Sequence, residues 1–152
     1  MRFIPIIFIS LIFNSSVLGN IIKPSPNIEP EQVIKIQLEA LMKNNTPYQD
    51  TGIVQTWEFA HPQNRKYTGP LSKFSSMMKS DPYSLILGYT KHNIIFVSNN
   101  GNLANYFVEL TDKIGNKFGF TWILAKVIKQ GQYKDCWMTS GVSNTLPLAK
   151  TA

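Results

Sequence analysis

The stretch from Asn93 to Ile128 constrains the fold more than any other, with three runs of strand-forming residues separated by two tight turns. Asn99-Asn100-Gly101-Asn102 carries an Asn-Gly pair, the strongest short hairpin signal, because both central residues of a type I′ turn need positive φ. Centred on Asn100-Gly101, that turn pairs Val97 with Ala104, Ile95 with Tyr106 and Asn93 with Val108. The second turn, Asp112-Lys113-Ile114-Gly115-Asn116, can close in two registers. A three-residue loop with Gly115 as a left-handed bulge residue sets Leu110 opposite Phe118, Val108 opposite Phe120 and Tyr106 opposite Trp122. A two-residue loop would bring Gly119 and Thr121 to those places instead. A one-residue slip moves every side chain to the other face, so the apolar pattern selects the bulged register. One face then reads Ile95, Val97, Tyr106, Val108, Leu110, Phe118, Phe120, Trp122 and Leu124, which is the makings of a core.

Upstream of these strands the apolar period is helical. Glu29 stands before Pro30 at the first helical position, and Val33, Ile34, Ile36, Leu38, Ala40 and Leu41 form a wide stripe. Lys35, Gln37 and Glu39 are assigned to the opposite, solvated face. A second helix is expected from an N-cap at Asp50 or Thr51 to Ala60, ended by His61-Pro62. A third begins at Gly69-Pro70, with Leu71, Phe74 and Met78 at helical spacing, and stops at Asp81-Pro82. Tyr83 to Tyr89 reads as a strand, and Asp135 to Val142 as a last one. Helices first and an antiparallel meander afterwards make an α+β domain, with the helices on one face of the sheet.

The ends of the chain read differently. Arg2, the apolar run Phe3 to Phe13, and Val17 and Gly19 ahead of Asn20 have the pattern of a cleaved signal peptide over residues 1–19. The apolar run is shorter than the roughly 20 residues that cross a bilayer, so no stable membrane span is expected after cleavage; a retained anchor is the alternative. Residues 20–28 form a linker, 29–144 a single domain, and 145–152, with Pro147 and Lys150, a flexible tail. The sequence holds 15 Lys and Arg against 9 Asp and Glu, and losing Arg2 with the leader lowers the excess from six to five. These charges are scattered, and the nearest cluster (Lys113, Lys117, Lys126, Lys129, Lys134) surrounds two loops, a pattern of solubility rather than nucleic-acid binding. Cys136 is the only cysteine, so no internal disulfide can form.

Four segments carry a resemblance: Glu31 to Leu41, Trp57-Glu58-Phe59-Ala60, Thr68-Gly69-Pro70-Leu71 and Cys136-Trp137-Met138-Thr139. Over Pro24 to Ser143 the chain resembles the uncharacterised domain-of-unknown-function family 4864. That resemblance implies a fold similar to the nuclear transport factor 2 superfamily, in which helices close one end of a curved sheet into a cone. It implies no catalytic residues.

Some cone-fold relatives are isomerases or dehydratases, which place an Asp or His base and a Tyr donor inside the cone. His61 precedes Pro62 at a helix end and His92 lies in a loop; with one cysteine they give no metal-ligand spacing and no cofactor. Asp112 is explained by its turn, Asp50 by capping, and Asp81 by the Asp-Pro pair. The leading reading is an exported, non-catalytic binding or assembly module. The alternatives are a small-molecule carrier with an apolar pocket between helices and sheet, then an enzyme of isomerase or hydrolase type. A pocket there would take Tyr106, Trp122 and Trp57 as walls. The uncovered face, with Ile94, Phe96, Leu103, Phe107 and Ile123, would be an apolar patch suited to a homodimer. In the native host, mass spectrometry should find a mature chain beginning at Asn20; a soluble cytoplasmic species still beginning at Met1 would contradict the export reading.

Overall fold

The computed structural model describes residues 20–143 and 146–148; the expected signal peptide lies outside them. Four helices, α1 (Pro30–Met42), α2 (Thr51–Glu58), α3 (Pro62–Thr68) and α4 (Leu71–Met78), lead through a 3₁₀ turn at Tyr83–Ile86 into the strands. These are β1 (Lys91–Asn99), β2 (Leu103–Thr111), β3 (Lys117–Lys126), β4 (Trp137–Val142) and β5 (Leu146–Leu148). The strands pair antiparallel in the order β1-β2-β3-β4, and β5 also pairs with β3, against Lys117 to Gly119. The domain is therefore α+β. The strand expected at Tyr83–Tyr89 is instead the 3₁₀ turn, whose chain leaves through Gly88 at φ 77°. Of the expected tail, Leu146–Leu148 are a strand, while 145 and 149–152 lie outside the described residues.

The second hairpin forms in the bulged register. Leu110 pairs with Phe118, Val108 with Phe120 and Tyr106 with Trp122, and Gly115 sits at φ 87°. The Asp112 carboxylate closes the loop by accepting from the backbone N–H groups of Ile114 and Asn116, both at 2.9 Å. The first hairpin differs from expectation. Asn100 N–H donates to Leu103 O at 3.1 Å, so Gly101 and Asn102 are the central residues. Gly101 has φ 92° while Asn102 is not in the left-handed region, the arrangement of a type II′ turn with glycine first. Beyond the turn the register shifts between Phe96 and Ser98, and that one-residue slip pairs Ile95 with Phe107 and Phe96 with Tyr106. That corrects four faces at once. Ile94 joins the helix-covered face and packs on the core, and Phe96 meets Tyr106 edge-on at 5.7 Å. Ile95 and Val97, assigned to the core, are 44% and 58% exposed.

The core lies between the helices and the inner sheet face, where Val33, Ile34, Leu38 and Leu41 of α1 meet Val108, Leu110, Phe120, Trp122 and Leu124. Gln37, expected on the solvated side of α1, is 1% exposed. The segment expected as a linker is docked: Gln55 holds Ile22 by a pair of hydrogen bonds, accepting at 2.7 Å and donating at 2.9 Å, and Lys23 pairs with Glu58 at 3.0 Å. Asp50, at φ 62°, makes no side-chain cap for α2. Asn44 does that work from outside the helix, its Oδ1 accepting from Ile53 N–H at 2.9 Å and its carbonyl from Gly52 N–H at 2.9 Å. At Gly52 the two helices touch closely, since a Cβ there would lie 2.2 Å from the Ala40 carbonyl oxygen. Gly141 is the contrast, with open space where its Cβ would be. In chemical denaturation Gly52→Ala should lose about 2–3 kcal/mol, while Gly141→Ala should stay within about 0.5 kcal/mol of the parent. Equal stability of the two variants would contradict the close approach.

Candidate functional site

The helix layer and the sheet do not fill the space between them. A cavity of about 130 Å³ opens there, lined from α1 by Gln37 and Leu41, from α3 by Asn64 and Thr68, and from α4 by Phe74, Met77 and Met78. Tyr83, Ile86, Trp122, Thr139 and Val142 complete most of the wall. Helical period places the contributors: Gln37 and Leu41 of α1 are four residues apart, as are Asn64 and Thr68 of α3, and Ala60 joins them from the corner before α3. The α3 residues were invisible to hydrophobic periodicity because α3, Pro62–Thr68, has no apolar stripe.

One polar network occupies the wall. Trp122 Nε1–H donates to Gln37 Oε1 at 3.1 Å and to Thr139 Oγ1 at 3.3 Å. The Thr139 hydroxyl donates to the same Gln37 oxygen at 2.7 Å, and the Gln37 amide donates to Thr56 O at 3.1 Å. Thr139 also ties β4 to the α2–α3 corner. Its N–H donates to Phe59 O at 2.7 Å, and its carbonyl accepts from His61 N–H at 2.8 Å and Asn64 Nδ2–H at 3.3 Å. Those bonds cover the β4 edge of the sheet at this point. Arg65 completes the corner by donating to the carbonyls of Ala60, Trp57 and Glu58 at 3.0, 2.8 and 2.9 Å. Its guanidinium lies 5.1 Å from the Trp57 ring and 5.6 Å from that of Tyr133.

Of the three wall residues expected from sequence, Trp122 alone lines the cavity. Tyr106 is buried on the same sheet face but packs against Phe96, and burial, with Glu31 and Glu29 nearby, pushes its hydroxyl pKa up. Trp57 turns to Phe74, ring centres 5.1 Å apart, and to Arg65. His61 caps α3, its Nδ1 accepting from Gln63 N–H at 3.2 Å, and burial lowers its pKa. Tyr89 donates to Leu38 O at 2.7 Å and lies 3.2 Å from His92 Nδ1; burial holds its phenol well above the usual tyrosine range. Cys136 is buried with Val127 and Met138, which raises its thiol pKa. None of these titratable groups lines the cavity. Among the described residues no three His, Cys, Asp or Glu side chains gather where they could hold a metal ion.

A larger groove, of about 520 Å³, runs past Asn44, Asn45, Asp50 and Lys79, but it is open and these four are engaged with one another. Asp50 accepts from Lys79 at 2.5 Å and from Asn44 at 3.1 Å. The smaller cavity is the candidate site because it is less open and its wall is more apolar, which favours a guest over water.

The outer sheet face is the second candidate. Leu103, Phe107 and Ile123 lie there as expected, joined by Ile95 in place of Ile94 and Phe96. Phe107 lies over Gly119, where an added Cβ would meet its ring at 2.3 Å. Leu103 is 40% exposed, and every residue of β1 except Ile94 is exposed. No helix among the described residues is long and apolar enough to cross a membrane. No protein-family model matches the chain, and no curated protein or solved structure matches it either. Residue roles therefore rest on this geometry alone.

Proposed function

We propose that the chain is an exported, non-catalytic assembly module that works as a homodimer through its outer sheet face, its helices closing the sheet in the manner of a cone. The observation that carries this reading is the row Ile95–Phe107–Thr121 with its neighbours Leu103 and Ile123, apolar where a one-sided antiparallel sheet is ordinarily polar. Ile95 and Leu103 are exposed while Phe107 and Ile123 are half-buried, so a partner that covers the row gains part of the roughly 1.5–3 kcal/mol that full burial of each large side chain is worth.

The charge pattern favours a second copy as that partner. The chain carries a net charge of +6, so self-association needs a neutral patch. Ile95, Asn105, Phe107, Thr121, Ile123 and Ala125 are uncharged, and Glu109 and Lys117 neutralise each other at 3.3 Å. A two-fold dimer lets this one patch cover itself. The open β1 strand extends the surface at its rim, with one formal charge, Lys91, at its first residue. Sedimentation equilibrium at tens of micromolar should show a dimer. Ile95→Glu should weaken it at least tenfold while leaving the melting temperature within a few degrees. A monomeric parent, or an Ile95→Glu variant that dimerises as tightly, would overturn the proposal.

A further inference from the structure

The cavity lies on the opposite side of the sheet from the proposed dimer face, so its occupant is a separate question with a separate answer. We infer that it is a binding site for a neutral, single-ring aromatic alcohol, a molecule of the phenol class. Size sets the first limit: about 130 Å³ is close to the roughly 150 Å³ of an apolar protein cavity that takes up benzene, room for a single ring. Charge sets the second. Among the described residues no Lys, Arg, Asp, Glu or His lines the space, so an ionised guest would lose its hydration with nothing to replace it.

The wall chemistry then selects a flat ring. Trp122, Phe74 and Tyr83 present aromatic surface, and Met77 and Met78 present polarisable thioethers that adapt to a ring edge. Water gains little at the wall made by Gln37, Trp122 and Thr139, because those three are hydrogen-bonded to one another. One polar handle is left over. Asn64 donates its amide to Thr139 O at 3.3 Å, which orients the carboxamide, and among the described residues nothing donates to its Oδ1. A hydroxyl on the guest can donate to that oxygen. Thr68, one turn further along α3, already donates to Asn64 O at 3.0 Å and leaves the handle to Asn64.

Calorimetric titration of the full-length chain with phenol, benzene and benzoate tests this. Phenol should bind in the sub-millimolar range, and benzoate at least tenfold more weakly. Asn64→Leu should weaken phenol by about three- to tenfold, the worth of one hydrogen bond, and leave benzene unchanged. Met77→Trp, which places a larger side chain at the wall, should abolish both; should that variant fail to fold, the Asn64→Leu comparison decides alone. Absence of phenol binding up to its solubility, benzoate binding as well as phenol, or phenol affinity unaffected by Asn64→Leu would each overturn the inference. These outcomes leave the oligomeric state untouched, so the two proposals fail separately.

Discussion

One buried carboxamide holds the two layers in register. Gln37 reaches from α1 through the core, and its single oxygen accepts from Trp122 on β3 and Thr139 on β4. Its nitrogen donates to the Thr56 carbonyl on α2. Burying a carboxamide among Leu41, Phe74 and Trp122 would be costly without those partners, since an unpaired buried polar group loses water and gains nothing. With them, the network accepts only one relative placement of helices and strands, which a purely apolar contact would not enforce. Thr139 then carries the constraint outward, because its backbone clasps Phe59 and His61 and so fixes the corner from which α3 departs. The cavity wall follows from that corner.

The parts of this architecture legible in the sequence are those where local chemistry admits one answer. Gly115 is an example: an αL position inside an apolar alternation leaves only one register that keeps Val108, Phe120 and Trp122 together. The first hairpin shows why the same reasoning fails nearby. Ile94-Ile95-Phe96-Val97 is apolar at four consecutive positions, so a one-residue slip exchanges one apolar face for another and pattern cannot choose. The bulge chooses instead: a turn centred on Gly101-Asn102 moves each partner by two residues and keeps the faces, and the irregularity between Phe96 and Ser98 then slips the strand by one and exchanges them. α3 was unreadable for the opposite reason. Its residues are polar throughout, and it is held by His61 at its start and by the contacts of Arg65.

The candidate site was the least legible part. Gln37 was assigned to solvent on its chemical type, although its spacing from Val33, Ile34 and Leu41 places it on the buried stripe. Trp122 is legible because aromatic residues on an inner strand face have few other places to go; Tyr106 follows as its cross-strand partner on that face, and Trp57 from its helical spacing with Ile53 and Ala60. What separates them is tertiary: Phe96 claims Tyr106, and Phe74 and Arg65 claim Trp57. The resulting molecule has two unspent surfaces, an uncharged cavity on one side of the sheet and an apolar row on the other, and both follow from residues whose side chains stand on alternating faces of β2 and β3.

The central claim is that Gln37 and Thr139 act as one unit that locks helices to sheet. A double-mutant cycle on stability measures this directly, using Gln37→Leu and the near-isosteric Thr139→Val with unfolding followed in denaturant. Each single change strands a partner of the other, so the pair should cost less than the two singles combined, with a coupling of about 1 kcal/mol or more. Costs that add to within about 0.5 kcal/mol would mean that the two residues stabilise the fold independently, and would contradict the account.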